Sequence, residues 1–207
     1  MTTQQTALEH LRVIRSLLEK SQVYRAVSAP AALCGGVLAL AASFTAFDAT
    51  PVSTDPFLAK WLTILAITTV LNFFLLHREA VSRSQPFFSE GMRMALRAFL
   101  PPMLVGGVLG ICLICFRGDV NTGSLVWILC YALALLSTAH FSPRSLVRLG
   151  WAFLIVGVTL TIWHFSQTPV TGQNHSALFL GSTFGLLHIV YAVAVFVRKP
   201  TTSTPAA

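Results

Sequence analysis

Charge is scarce in this chain and missing where it would matter most. Only 10% of the 207 residues are Asp, Glu, Lys or Arg, against about 25% in soluble domains. Six long apolar stretches contain none of the four. An ionisable side chain inside a bilayer is costly and marks ion pathways and proton relays. Its absence argues against an ion- or proton-coupled carrier. Basic residues interleaved with aromatics are also missing, and there is no nucleic-acid-binding signature. The net charge of +7 therefore suits anionic lipid headgroups, not a polynucleotide. A cleavable leader is not expected: residues 1–25 are polar and charged, and the apolar stretch after them is too long for an h-region.

Apolar side chains are abundant. They make up 55% of the chain, and mean hydropathy is +0.72. The six stretches are Ala26–Phe47, Trp61–Leu76, Leu100–Phe116, Leu125–Ala139, Leu149–Phe165 and Ala177–Val197. A membrane helix needs about 20 residues. The first and last stretches are long enough outright; the fourth is short and must borrow neighbours such as Ser124 and His140. The sequence thus predicts an all-α integral membrane bundle of six transmembrane helices.

Basic residues orient the bundle. Arg12, Arg15, Lys20 and Arg25 precede the first stretch, and Arg78, Arg83, Arg93 and Arg97 follow the second. Arg144 and Arg148 follow the fourth, and Arg198 and Lys199 follow the last. Lys60 and Arg117 alone fall on the opposite side. Both termini are therefore expected in the cytoplasm. Dropping one span would destroy this asymmetry, which supports counting the short fourth one.

Three regions follow. Residues 1–25 form a cytoplasmic amphipathic helix, 26–197 the membrane domain, and 198–207 a short disordered tail. Thr6 and Glu9 make a capping box, in which hydroxyl and carboxylate satisfy free backbone N–H groups at the helix start. Leu11, Val13, Ile14, Leu17, Leu18 and Tyr24 then share one face, with Arg12, Arg15, Glu19 and Lys20 opposite. Such a helix lies on the membrane surface or pairs with a partner helix. Residues 77–99 read as a cytoplasmic loop broken at Pro86, with a helix from Ser89 to Phe99 that carries Arg93 and Arg97 one turn apart. Pro101 and Pro102 predict a bend at the membrane entrance. Pro30-x-x-Leu33-x-Gly35-Gly36-Val37-Leu38 matches Pro101-x-x-Leu104-x-Gly106-Gly107-Val108-Leu109, a faint internal repeat.

The intramembrane polar candidates are Asn72, Ser137 and His188. Serine on the fourth span and histidine on the sixth invite comparison with rhomboid proteases. Ser137 sits in Leu-Leu-Ser-Thr-Ala, however, without the Gly-x-Ser-Gly turn that presents the nucleophile. Interhelical hydrogen bonding is the plainer reading. His77 and His140 lie at matching cytoplasmic depth and could ligate haem between helices; headgroup solvation beside Arg78 and Arg144 explains them as well. Cys112-x-x-Cys115 lies near a helix C-terminus in apolar surroundings, which disfavours the thiolate that redox exchange needs. Gly106-x-x-x-Gly110 and Gly181-x-x-x-Gly185 allow close helix approach, and packing inside the bundle is favoured over a dimer face.

The segments 7–15 (Ala-Leu-Glu-His-Leu-Arg-Val-Ile-Arg), 24–26, 35–36, 141–144 (Phe-Ser-Pro-Arg), 150–153 (Gly-Trp-Ala-Phe) and 184–188 (Phe-Gly-Leu-Leu-His) resemble those of a group of small uncharacterised bacterial multi-pass inner-membrane proteins. The resemblance implies a bacterial inner-membrane setting and brings no activity with it. The sequence reading is a non-enzymatic membrane protein that acts by contact, as a scaffold or regulatory subunit. Its partner-binding residues are Leu11, Ile14, Leu17, Leu18, Arg93 and Arg97. The alternative is a small transporter or channel for a neutral or apolar solute, lined by Asn72, Ser137 and His188. A redox or haem-binding membrane subunit is a further alternative. The expected partners are the lipid bilayer, a cytoplasmic or membrane protein, and a second copy of the chain. No nucleic acid, cofactor or metal is implied.

Overall fold

The computed structural model describes residues 27–45, 53–82, 90–140, 142–167 and 174–197. These form six helices and, among the described residues, no strand: α1 (Ala29–Phe44), α2 (Thr54–Ser82), α3 (Glu90–Arg117), α4 (Val120–Ser137), α5 (Arg144–Ser166) and α6 (Ser176–Val197). The amphipathic segment with Leu11, Ile14, Leu17 and Leu18, the loop centre at Pro86 and the tail 198–207 lie outside the described residues. Five helices, α2 to α6, are long and apolar enough to cross a membrane.

The short helix is not the expected one. α4 begins at Val120 and has 18 residues. Asp119 provides the reason: its carboxylate accepts the Thr122 N–H at 2.9 Å and starts the helix one turn before the apolar run. The first apolar stretch instead supports only 16 helical residues, α1. At 1.5 Å per residue that is about 24 Å, below the ~30 Å of a hydrocarbon core. α1 opens with Ser28 as N-cap and Pro30 in the first turn, where the missing proline N–H costs nothing.

The expected loop 77–99 is largely helical, because α2 continues to Ser82 and α3 begins at Glu90. Hydropathy ends where charge begins, but the backbone does not. α3 also runs unbroken through Pro101 and Pro102. Pro102 cannot donate to the carbonyl of Ala98, four residues back. Ser137 of α4 supplies that bond instead, its Oγ donating to Ala98 O at 2.8 Å while the same hydrogen is shared with Ala134 O. A neighbouring hydroxyl can re-satisfy a proline-freed carbonyl in this way inside a membrane.

α4 sits at the centre, packed against α3 on one side and α5 on the other, while α6 lies along α1. Ile128, Leu135, Leu146, Phe153 and Phe179 are fully buried in this core. The α3–α4 turn is closed by Gly118 at φ 65°, with Asp119 N–H returning to Leu113 O at 3.2 Å. Both Gly-x-x-x-Gly motifs face helices of the same chain. A Cβ on Gly106 would stand 2.3 Å from Cys130 Cβ, and one on Gly185 3.2 Å from Leu40 Cα. Around the outside, Val70, Phe74, Leu104, Val108, Ile155 and Ile162 are exposed. An apolar surface this continuous suits hydrocarbon, not water.

Candidate functional site: an uncharged cleft between two helices

α2 and α3 scarcely meet. Between them lies a cleft of about 480 Å³ whose floor is formed by α1, α4 and α6. It runs along α3 from Met92 to Ile111, a rise of about 28 Å, which approaches the thickness of a bilayer core. Leu62, Leu65, Phe73 and Leu100 line it and are also exposed, so its mouth faces the surroundings of the bundle. No lining residue is Asp, Glu, Lys or Arg.

Small residues make the space. Ala31, Gly35 and Ala39 recur every fourth residue along α1 and form part of the floor. On α3, Gly106 and Gly107 diverge. Gly106 is pressed against Cys130 of α4, whereas a Cβ on Gly107 would meet nothing within 4 Å. In the repeated motif, the first glycine of each pair receives the following helix: Gly35 meets Thr68 of α2 as Gly106 meets Cys130 of α4. The second glycines differ, because Gly36 abuts Gly185 and Ile189 of α6.

Among the polar groups that bear on the cleft, Tyr131, His188 and Asn72 hydrogen-bond within the protein, whereas the buried Trp61 Nε1 has no partner among the described residues. His188 is 8% exposed. Its Nδ1 lies 3.0 Å from Phe184 O, and a carbonyl can only accept, so Nδ1 carries the hydrogen. In the neutral ring Nε2 then accepts from the Tyr131 hydroxyl, at 2.9 Å. Phe184 lies in a π-helical segment of α6, Gly181–Leu187, a widened turn of the kind that recurs at functional sites. Tyr131, Phe153, Phe184 and His188 pack ring to ring around this bond, with the Phe184 and His188 planes 13° apart. Asn72 Oδ1 accepts the Ser28 N–H at 2.9 Å, pinning the start of α1.

Asn72 and His188 thus border one cavity. Ser137 does not join them: it serves the α3–α4 contact and is exposed on its far side. Arg93 and Arg97 lie on the exposed face of α3. His77, inside α2, and His140, just past α4, are both exposed, and the cysteines among the described residues are unbridged. Among the described residues no three His, Cys, Asp or Glu side chains are gathered as a metal site would require. Sequence reasoning missed Tyr131 and Trp61, which line the cleft. A tyrosine midway along α4 facing a histidine midway along α6 was a readable depth match. Chemically, the cleft offers apolar walls and polar groups that are largely committed to the protein, which suits an uncharged, mostly hydrocarbon molecule.

No protein family profile matches this chain, and neither a curated protein nor a solved structure shows significant similarity to it.

Proposed function

We propose that this is a six-span, non-enzymatic protein of the cell membrane, in a bacterial inner membrane by its resemblance, with both termini in the cytoplasm. It takes a neutral, largely apolar molecule from the lipid into the α2–α3 cleft, for passage or for sensing. The observation that carries this reading is the cleft itself: about 480 Å³, open at the side, and without a charged side chain. The orientation rests on the basic residues. Arg78, Arg93, Arg97, Arg144 and Arg148 gather at the end of the bundle that holds the start of α1, and Lys60 and Arg117 at the other. Gly107→Leu tests the cleft, since its side chain enters open space there. In nanodiscs, binding of the neutral probe Nile red should fall at least fivefold with thermal stability unchanged. Undiminished binding sinks the reading. Reporter fusions at the two ends test the topology, and opposite compartments would refute it.

A contact role is the second reading. Its support is the helical extension of α2 and α3 beyond the apolar stretches, which presents Arg93 and Arg97 on an exposed surface. Residues 1–24 would complete that surface. Deleting them should abolish co-purification of a protein partner while leaving insertion intact; unchanged co-purification ends this reading.

A further inference from the structure

A second cavity, about 220 Å³, lies away from the cleft between α5 and α6. It is a groove formed by two matching stripes at helical spacing. Arg148 and Ala152 belong to the α5 stripe, and Leu187, Val190 and Ala194 to the α6 stripe. The walls are aliphatic apart from Ser145, which lies with the single cation near the start of α5. Arg148 is exposed, as is Arg144 one turn before it. Neither α5 nor α6 contains an Asp or Glu, so nothing on these helices neutralises the pair. The helix start adds to the positive field: α5 has no side-chain cap, since its N-cap is Pro143, and no acidic residue in its first turn. The first N–H groups of such a helix favour an anion. Tyr191 closes the groove floor, and its hydroxyl is committed to Val27 O at 3.1 Å.

A cation at the mouth of an aliphatic groove, at the polar end of a membrane helix, has the chemistry of a lipid with a negative headgroup. We infer that the α5–α6 groove binds one anionic phospholipid, with its phosphate at Arg148 and Arg144 and one acyl chain lying between Ala152 and Val190. This is independent of the α2–α3 cleft, and it places the lipid in the leaflet next to the basic end of the bundle. Charge complementarity selects the occupant: a zwitterionic lipid brings a choline that two arginines without a carboxylate on α5 or α6 repel, and a protein helix would need acidic residues at one defined level.

The test uses the full chain purified in detergent. Native mass spectrometry would count bound dioleoyl phosphatidylglycerol against dioleoyl phosphatidylcholine. The expected preference for phosphatidylglycerol is about fivefold for each arginine engaged. Arg148→Gln should reduce it about fivefold and Arg148→Gln with Arg144→Gln to near parity, Arg148→Lys should keep most of it, and Ala152→Phe should displace both lipids by filling the groove. Equal retention of the two lipids by the wild-type chain overturns the inference, as does a preference left undiminished by Arg148→Gln. Competition by glycerol 3-phosphate as effective as by the intact lipid would overturn it too, because a soluble phosphate would then suffice and the acyl groove would be irrelevant. If a second copy of the chain occupies the groove, the wild-type protein runs as a dimer that Ala152→Phe dissociates, and the lipid assignment fails.

Discussion

α2 and α4 are built from similar residues and hold opposite positions in the bundle. α2 is the longest helix among the described residues, at 29, yet only Phe57 and Trp61 are buried along it; α4 has 18 residues, and eight of them are buried. Length and hydropathy do not decide which helix becomes the core. Small residues on the neighbours do. Gly106 and Gly110 of α3 and Gly150 and Gly157 of α5 all face α4, so its two neighbours close in on it. α2 has such a surface only along α1, at Gly35, and elsewhere stands off, leaving the cleft. In lipid, apolar side chains gain little from exchanging hydrocarbon for protein, and close backbone approach carries the association.

The comparison can be broken at several points. The largest effect belongs to the α3–α4 seam. Gly106→Val would drive a side chain into Cys130 and should cost about 3 kcal/mol, read as a fall in the thermal midpoint in detergent. Gly107→Leu, one residue along the same helix, should leave that midpoint unmoved and affect only probe binding. Equal destabilisation by the two would remove the distinction between seam and cleft. Next is Ser137→Ala, which strands the Ala98 carbonyl that Pro102 cannot serve. About 1.5 kcal/mol is expected; Ser137→Ala combined with Pro102→Ala should recover most of it, because the backbone bond returns. On the α2 side, Asn72→Ala loosens the start of α1 and should cost about 1 kcal/mol. The smallest effect is expected from Phe74→Ala, on the exposed face of α2, below about 0.5 kcal/mol. A large loss there would mean that a partner covers α2.

Much of the helical architecture was legible, because hydrocarbon-compatible runs such as Ala177–Val197 have few other uses. Helix ends were less so. Hydropathy reports what surrounds a segment and says nothing of whether the backbone continues. Thus α2 carries Lys60, Arg78 and Glu79 inside its helical span, and Asp119 extends α4 beyond its apolar run. Asn72 and His188 were recognisable as polar residues at membrane depth. That they share a cleft depends on α2 and α3 failing to pack, which no local pattern encodes. Ala31, Gly35 and Ala39 would ordinarily signal a continuous tight seam, yet only Gly35 is pressed against α2, at Thr68, and all three also line the cleft. Ser137 was misleading for a different reason. Its role is set by a proline 35 positions earlier, and only the α3–α4 register joins the two.

The arrangement of α1 against α2 bears on how the chain enters the bilayer. Lys60 Nζ donates to Ala42 O at 3.1 Å near the finish of α1, and Asn72 accepts from Ser28 at its beginning. One helix therefore grips the other at both tips, like a bracket. A segment about 24 Å long falls short of the hydrocarbon thickness, and without Asn72 the Ser28 N–H at its start would lose its acceptor. During biogenesis the first segment should wait at the translocon until the second emerges, and the two should partition into lipid as a hairpin.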